Sequence, residues 1–207
     1  IYHGVNRQQI VDAFYGAGNE VATNIVYGDE PVISTSTAYE YDPELAVQIL
    51  EEAGWMLNDS GVREKDGVQL DVIYATSGNA VRQKIQSVVK ANLEEIGFRI
   101  QLEQIDSGLY FDASEGNEEN IYHFYWDFNQ FQSVANNPRP LSFLNGWYAG
   151  PDGSNIAQAS NGWNGGNIQR WRNEEFDAAY EAAMTETDAD TLTGLFVTMN
   201  DLVMHDY

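Results

Sequence analysis

The 207-residue chain has no cysteine and few basic residues, with ten Lys and Arg against 32 Asp and Glu. Without cysteine there is no disulfide framework and no thiolate metal site, so redox chemistry gives no information about the compartment. The formal net charge of −22 repels phosphate backbones, and the basic residues form no cluster. We therefore expect neither nucleic acid nor an anionic membrane surface as a partner. The acidity fits a solvated surface or a high-salt adaptation.

Long hydrophobic runs are also missing. No apolar stretch approaches the roughly 20 residues needed to cross a bilayer, so direct membrane insertion is not expected. The chain begins at Ile1 without Met and stops at Tyr207 directly after an amphipathic pattern. We expect it to be a piece of a longer protein, with any targeting signal outside it.

Motifs for metal binding or catalysis are scarce. His3, His123 and His205 lie far apart, and residues 188–199 resemble a calcium loop only at their first acids, which a helix cap explains better. There is no phosphate loop and no G-x-S-x-G elbow. The acid pairs fall on predicted helix exteriors, at 51–52, 94–95 and 174–175. We predict no catalytic residue, metal or cofactor, and keep a hydrolase with distant paired acids as an alternative.

The first 105 residues show alternating elements. Asn6 caps a helix that ends near Gly16, and "YDPELAVQILEEAGW" predicts a helix from the cap Asp42 to Gly54. Its buried stripe is predicted to be Leu45, Ile49, Leu50 and Ala53. A hairpin with an Asp66-Gly67 turn, a strand at 69–75, a helix ending at Gly97 and a strand at 98–105 follow. Strand, helix and strand form a βαβ unit, which predicts parallel strands and the α/β class.

The second half is less regular. A short helix is predicted to start at Asp106, and "IYHFYW" at 121–126 is predicted to be a strand. Residues 127–171 are rich in Gly, Asn, Trp and Pro, with at most a short helix near 141–144, and so long a loop region usually has a function. Two helices follow, capped by Asn173 and by Asp188 or Asp190. Without repeats or a linker, we predict one domain over 1–207.

Several stretches, taken in order, carry a family resemblance. They are "NRQQIVDAFYGAGNEVATN", "YEYDPELAVQILEEAGW", "GVREKDGVQLDVIYATS", "VRQKIQSVVKANLEEIGFRIQLEQID" and "NGWNGGNIQRWRNEEFDAAYEAAMTETD". The chain resembles the extracellular solute-binding proteins of peptide ABC importers, the dipeptide, oligopeptide and nickel receptor family. The match spans essentially the whole chain in the family's order, and the YDPE-to-AGW and hairpin motifs are specific in combination.

The resemblance implies an α/β lobe of the periplasmic-binding-protein type (type II), with a mixed sheet flanked by helices. It implies the second, C-terminal lobe of a two-lobe receptor that closes around a solute and is not an enzyme. The implied partners are a small solute, most simply a peptide, the remaining lobe of the same chain, and an ABC permease in the membrane. The implied location is periplasmic or extracellular, with a lipid anchor on the full-length protein as a further expectation. Oligosaccharides and metal chelates remain alternative solutes.

Candidate lining residues come from the aromatic and Asn-rich tract, because a solute cleft needs apolar plates and a few placed polar groups. They are Tyr125, Trp126, Asn137, Arg139, Trp147, Trp163 and Asn167. Arg139 stands between Pro138 and Pro140, where the family often has an acid. We hypothesise that this guanidinium pairs with a ligand carboxylate. A surface Arg that offsets nearby acids is the competing interpretation.

Overall fold

The computed structural model describes residues 1–26, 32–114, 116–133 and 140–206. The helices are α1 (Arg7–Phe14), α2 (Pro43–Glu52), α3 (Ala80–Glu95), α4 (Ser107–Tyr110), α5 (Leu141–Leu144), α6 (Glu174–Thr185) and α7 (Ala189–Met204). The strands are β1 (Met56–Leu57), β2 (Arg63–Lys65), β3 (Val68–Gln69), β4 (Asp71–Ser77), β5 (Arg99–Ile105) and β6 (Phe128–Gln130). Helices and strands alternate through the first half, which confirms the predicted α/β class.

The chain divides into two compact units. The sheet unit comprises Ile1–Val21, Tyr39–Asp112 and Tyr125–Phe131. The helical unit comprises Ala22–Ala38, Ala113–Phe124 and Gln132–Tyr207. The organisation of 1–207 as a single lobe stays a prediction.

A three-stranded parallel sheet in the order β5-β4-β6 organises the sheet unit. The predicted βαβ unit is confirmed, because β4 and β5 pair in parallel and α3 connects them. Apolar residues of α3 and the sheet share one core, in which Leu93 and Ile100 are almost completely buried. Asn79 caps α3 by accepting hydrogen bonds from two of its first amides. The described strands form one parallel and one antiparallel sheet, so neither of these sheets mixes the two directions.

The smaller antiparallel sheet, β1-β2-β3, contains the predicted hairpin. Lys65 pairs with Val68 across the Asp66-Gly67 turn, and both turn residues have positive φ, as a two-residue hairpin loop requires. Arg63, the first residue of β2 and only 2% exposed, donates to the carbonyl oxygens of Ile96 at 2.6 Å and Trp55 at 2.7 Å. The guanidinium thus satisfies carbonyl groups just beyond the ends of α3 and α2.

The helical unit is built around α6 and α7. Asn173 and Asp188 cap these helices, as predicted, by accepting hydrogen bonds from backbone amides three residues later. Phe176 on α6 and Phe196 and Met199 on α7 are buried in its core, as the amphipathic pattern before Tyr207 predicts for the last helix. The short helix predicted in the long tract is also confirmed, as α5.

Two local predictions are wrong. Residues 121–126 do not form a strand, because Asn120 Oδ1 accepts from the amides of Tyr122 and His123 in a turn and Phe124 has a φ of 48°. The strand that joins the sheet is β6, shortly afterwards. In α2, Ile49 is 47% exposed and Ala46 is buried. The buried face of α2 is rotated from the predicted stripe, and besides Ala46 it consists of Val47 and Leu50.

Candidate functional site

The carboxyl edge of the parallel sheet gathers polar groups in the sheet unit. Thr76 and Ser77 end β4 completely buried, and Thr76 Oγ1 donates to the carbonyl oxygen of Gln130 at 2.7 Å. Open α/β sheets bind ligands outside the carboxyl ends of their strands, because polar loops and helix N-termini converge there. This edge is therefore a candidate site of solute contact.

Arg82, in the first turn of α3, brings a positive charge to this edge. Its Nη2 donates to Ser77 Oγ at 2.8 Å, which fixes the guanidinium against the end of β4. Its buried Nε has no hydrogen-bond partner among the described residues, and the same holds for Nδ2 of Asn129 on β6. Both of these atoms are buried, so it is the positive charge of the guanidinium that suits this edge to a carboxylate or another acceptor.

Aromatic rings flank these donors. Tyr110 is buried and donates through its hydroxyl to Asn129 Oδ1, and burial raises its pKa above the ordinary range. Its ring meets Phe111 edge-on at 4.8 Å, and Phe111 in turn meets Phe131 edge-on at 6.2 Å. The two phenylalanines are 46% and 37% exposed. The edge therefore offers apolar ring surface beside hydrogen-bond donors, the combination that small-molecule sites use.

Two of the predicted lining residues lie in the sheet unit. Tyr125 is 56% exposed, so its ring is accessible to solvent. Trp126 is 8% exposed and donates through Nε1 to Glu103 Oε2 at 2.7 Å, and its ring lies 6.0 Å from that of Tyr110. Trp126 thus supports the aromatic cluster from inside.

Trp163 lines two adjoining cavities in the helical unit, of about 530 and 700 Å³, here called the Trp163 groove. Its walls come from residues 113–114, 116–123 and 155–166, and both cavities include Tyr122 and Gly162. The ring of His123 lies 4.6 Å from the Trp163 ring, and the guanidinium of Arg170 lies over it at 5.3 Å. Trp163 has a φ of 61°, an uncommon conformation for a residue with a side chain.

The asparagines of the tract form a scaffold around Trp163. Asn155 Nδ2 donates to the carbonyl oxygens of Asn145 and Tyr148, and Asn161 Nδ2 donates to that of Ile156 at 2.7 Å. A Cβ atom on Gly165 would collide with the carbonyl of Asn155, so only glycine fits there. The loop is therefore held by its own side chains, and most of its amide groups are already used.

Trp147 and Asn167, both predicted lining residues, lie in the same unit. Asn167 is completely buried and donates to the carbonyl oxygens of Trp147 at 3.1 Å and Trp171 at 2.8 Å. The half-buried ring of Trp147 packs against the core of the unit and lies 5.3 Å from the ring of Phe143. The remaining predicted residues, Asn137 and Arg139, lie outside the described residues. The role of all seven in ligand binding stays a prediction.

Sequence reasoning missed Arg82 and Asn129. The signal for Arg82 was present, because it follows the end of the predicted strand at residue 75 by seven residues and lies in the first turn of the next helix, where strand ends and helix starts meet. Asn129 had no comparable signal, since the strand that carries it was predicted several residues too early. Among the described residues no three His, Asp or Glu side chains converge as a metal site, and no described helix is long and apolar enough to span a bilayer.

Comparison with curated proteins finds relatives with receptor names. A putative ABC transporter peptide-binding protein of Brucella ovis is 27% identical over 190 residues, covering 90% of this chain and 32% of the relative. The nickel-binding periplasmic protein of Escherichia coli is 28% identical over 129 residues, covering 60% of this chain and 24% of the relative. The chain thus spans about a third or less of the length of these relatives.

Solved structures share the fold. The oligopeptide-binding protein of Thermus thermophilus, crystallised with a pentapeptide, superposes with a TM-score of 0.85 at 24% identity, covering 99% of this chain and 35% of that protein. This confirms the predicted periplasmic-binding-protein-like fold. The sequence model of the bacterial extracellular solute-binding proteins, family 5 middle region, matches residues 1–155. The chain belongs to family 5 of the bacterial extracellular solute-binding proteins.

Proposed function

We propose that this chain forms the C-terminal ligand-binding lobe of a substrate-binding component of an ABC importer. The intact receptor holds a peptide between two lobes and delivers it to a membrane permease. The match of the family model to residues 1–155 carries the proposal. The partners are then the other lobe of the same protein and the permease, and the location is extracellular or periplasmic, with the full-length protein held at the membrane by a lipid anchor.

The proposed role is binding without reaction. Both candidate sites consist of aromatic surface with a few hydrogen-bonding groups, which suits holding and releasing a solute. Incubating the intact receptor with its solute and recovering the solute by mass spectrometry tests this directly. Recovery of an unchanged solute is expected, and a time-dependent product would contradict the role.

A peptide is the solute that the carboxyl edge of the sheet fits best. Arg82 brings a guanidinium charge to this edge that a peptide carboxylate can pair with, and Phe111 and Phe131 present ring surface for side chains. The names of the Brucella and Thermus proteins support the same class.

Titration of the intact receptor with a peptide pool and a glycan pool tests the class. We expect binding from the peptide pool alone. The substitution Arg82→Gln should lower the affinity for peptides with a free C-terminus by about tenfold or more, because it removes a charged partner. The affinity for C-terminally amidated peptides should fall less. Lys84→Gln, an exposed position two residues further along α3, is the matched control and should change little. Equal losses of peptide affinity in Arg82→Gln and Lys84→Gln would contradict the assignment.

The seven lining residues predicted from the sequence remain part of the proposal. Tyr125 and Trp163 are the members with accessible ring surface, while Trp126 and Asn167 would act by supporting neighbours. Arg139→Ala in the intact receptor tests the hypothesis on the proline-flanked arginine. A change in affinity below about 0.5 kcal/mol, the usual range for a surface substitution, would refute it.

A metal chelate is the second candidate, because a relative from Escherichia coli is named a nickel-binding protein. A nickel–histidine complex belongs in the same titration. Binding of that complex with no binding from the peptide pool would replace the peptide assignment, and the receptor role would stand. The 207-residue chain alone offers half of the proposed pocket, so we expect weak or undetectable binding by it, and submicromolar affinity would contradict the two-lobe arrangement.

A further inference from the structure

The Trp163 groove combines aromatic rings with one carboxylate. Tyr122, Trp163 and the exposed Glu118 line it, and no Lys or Arg is among its described lining residues. Glu118 has no hydrogen-bond or ion-pair partner among the described residues. An ionised carboxylate only accepts hydrogen bonds, so the partner that it lacks is a donor. A cationic donor forms the strongest hydrogen bond with it.

The neutral groups of the groove are largely committed elsewhere. Asn155 uses its amide nitrogen on two carbonyls and its Oδ1 on the amide of Gly166 at 3.0 Å. Asn161 likewise donates to Ile156 and accepts from the amide of Gln158 at 3.2 Å. A sugar needs several free amides or carboxylates for its hydroxyl groups, and these two side chains supply none. Among the described lining residues the Asn164 amide stays available, but the charged group is the Glu118 carboxylate, and a carboxylate beside two aromatic rings favours a cation.

Arg170 fixes the groove wall without occupying the groove. Its Nε donates to the carbonyl oxygen of Ala157 at 3.0 Å, and its Nη2 donates to that of His123. The guanidinium thereby joins the two chain segments that form the walls, and it lies over the Trp163 ring at 5.3 Å. Arg170 is therefore a positioning residue, and it is not among the residues that line the cavities.

We propose that the Trp163 groove binds the ammonium or guanidinium group of a lysine or arginine side chain, with Glu118 as its ionic partner and Tyr122 and Trp163 as its ring walls. This proposal rests on the proposed function, since it names the class of peptide that the receptor prefers. The excess of acidic over basic residues, 32 against ten, favours the approach of a cation over the whole surface.

Calorimetric titration of the full-length receptor with three matched pentapeptides tests it. The peptides differ at one position, which carries lysine, the uncharged isostere norleucine, or glutamate. We expect lysine to bind about five- to tenfold more tightly than norleucine at low salt, the range for a partly exposed cation beside rings and a carboxylate. Most of that preference should vanish in 0.5 M NaCl, because salt screens an exposed pair.

Glu118→Gln is the decisive variant, since it keeps the shape and removes the charge. It should abolish the preference for lysine over norleucine and leave norleucine affinity unchanged. Glu119→Gln removes an adjacent exposed charge that does not line the groove, and it should leave the preference intact. Equal binding of the lysine and norleucine peptides, or equal effects of the two variants, would overturn the proposal.

Failure of the proposed function has a different signature. If none of the three peptides binds the wild-type receptor, the peptide assignment fails, and Nα-acetyl-lysine N-methylamide then tests the groove alone. Chemical shift changes in the tryptophan indole region that are present in wild type and absent in Glu118→Gln would support the cation site. No difference between those two spectra would overturn it.

Discussion

The buried guanidinium of Arg63 should be one of the main stabilising groups of the sheet unit. It reaches Ile96 and Trp55 carbonyl oxygens and lies 3.2 Å from Glu51 Oε1. Replacing it with Met keeps the aliphatic bulk and removes every donor. A buried carbonyl without a donor costs about 1–3 kcal/mol; the Ile96 contact is buried and the Trp55 contact is part-buried, so the two together cost about 2–5 kcal/mol. The Glu51 side chain is 47% exposed, so its ion pair adds at most about 1 kcal/mol.

We therefore expect Arg63→Met to lower the free energy of unfolding by about 4 kcal/mol, measured by urea denaturation with circular dichroism. Arg99→Met is the matched control, because the Arg99 side chain is 43% exposed and pairs with Asp71 at the surface. The free energy of unfolding of Arg99→Met should fall much less. A loss below about 1 kcal/mol for Arg63→Met, or equal losses for both variants, would refute the assignment of two satisfied helix-end carbonyls to Arg63.

Three further outcomes follow from the described contacts. Gly97→Ala should lower the free energy of unfolding by about 3 kcal/mol, since Gly97 has a φ of 98° and a Cβ would lie 2.7 Å from Arg63 Cγ. Gly61 also has a positive φ but has open space around it, so Gly61→Ala should lower the free energy of unfolding by about 1 kcal/mol in the same urea assay. Hydrogen bonds from Thr191 lower the pKa of Asp188, so its contribution to stability is present above the unfolded-state pKa near 4 and is lost as pH falls through the folded-state value. Melting curves between pH 5 and 3 should then show a steeper loss for wild type than for Asp188→Asn, and parallel losses would contradict this. Raising NaCl from 0.1 to 1 M should raise the melting temperature, because salt screens repulsion within a chain of net charge −22, and a flat response would contradict that reasoning.

The regular elements were predictable because their local signals agree with their packing. The helix from Pro43 has a cap, a proline and an acid at its start, and α3 has a long apolar period between Asn79 and Gly97. Where tertiary packing decides, the sequence was insufficient. Ala46 is buried although Ile49 on the same helix is half exposed, because the core accepts a small residue where the helix lies close to it.

The candidate sites were predictable only in part. Trp163 could be predicted because aromatic residues in glycine-rich loops often line binding surfaces. The neighbouring asparagines, however, donate hydrogen bonds to carbonyl oxygens of the loop itself. That use of Asn155 and Asn161 depends on contacts that no periodicity encodes. Arg82 and Asn129 come from segments almost fifty residues apart, and only the pairing of β4 with β6 brings those segments together.

The interleaving of the two units along the chain has a consequence for biosynthesis. All three segments of the sheet unit have been synthesised once residue 131 has been added. The helical unit must wait, because an early segment bonds to its last helix: the amide of Ile25 donates to Asn200 Oδ1 at 2.9 Å. During translation the segment around Ile25 therefore stays without its partner while some 175 further residues are added, and this unit should be the slower to form and the one that needs protection from aggregation.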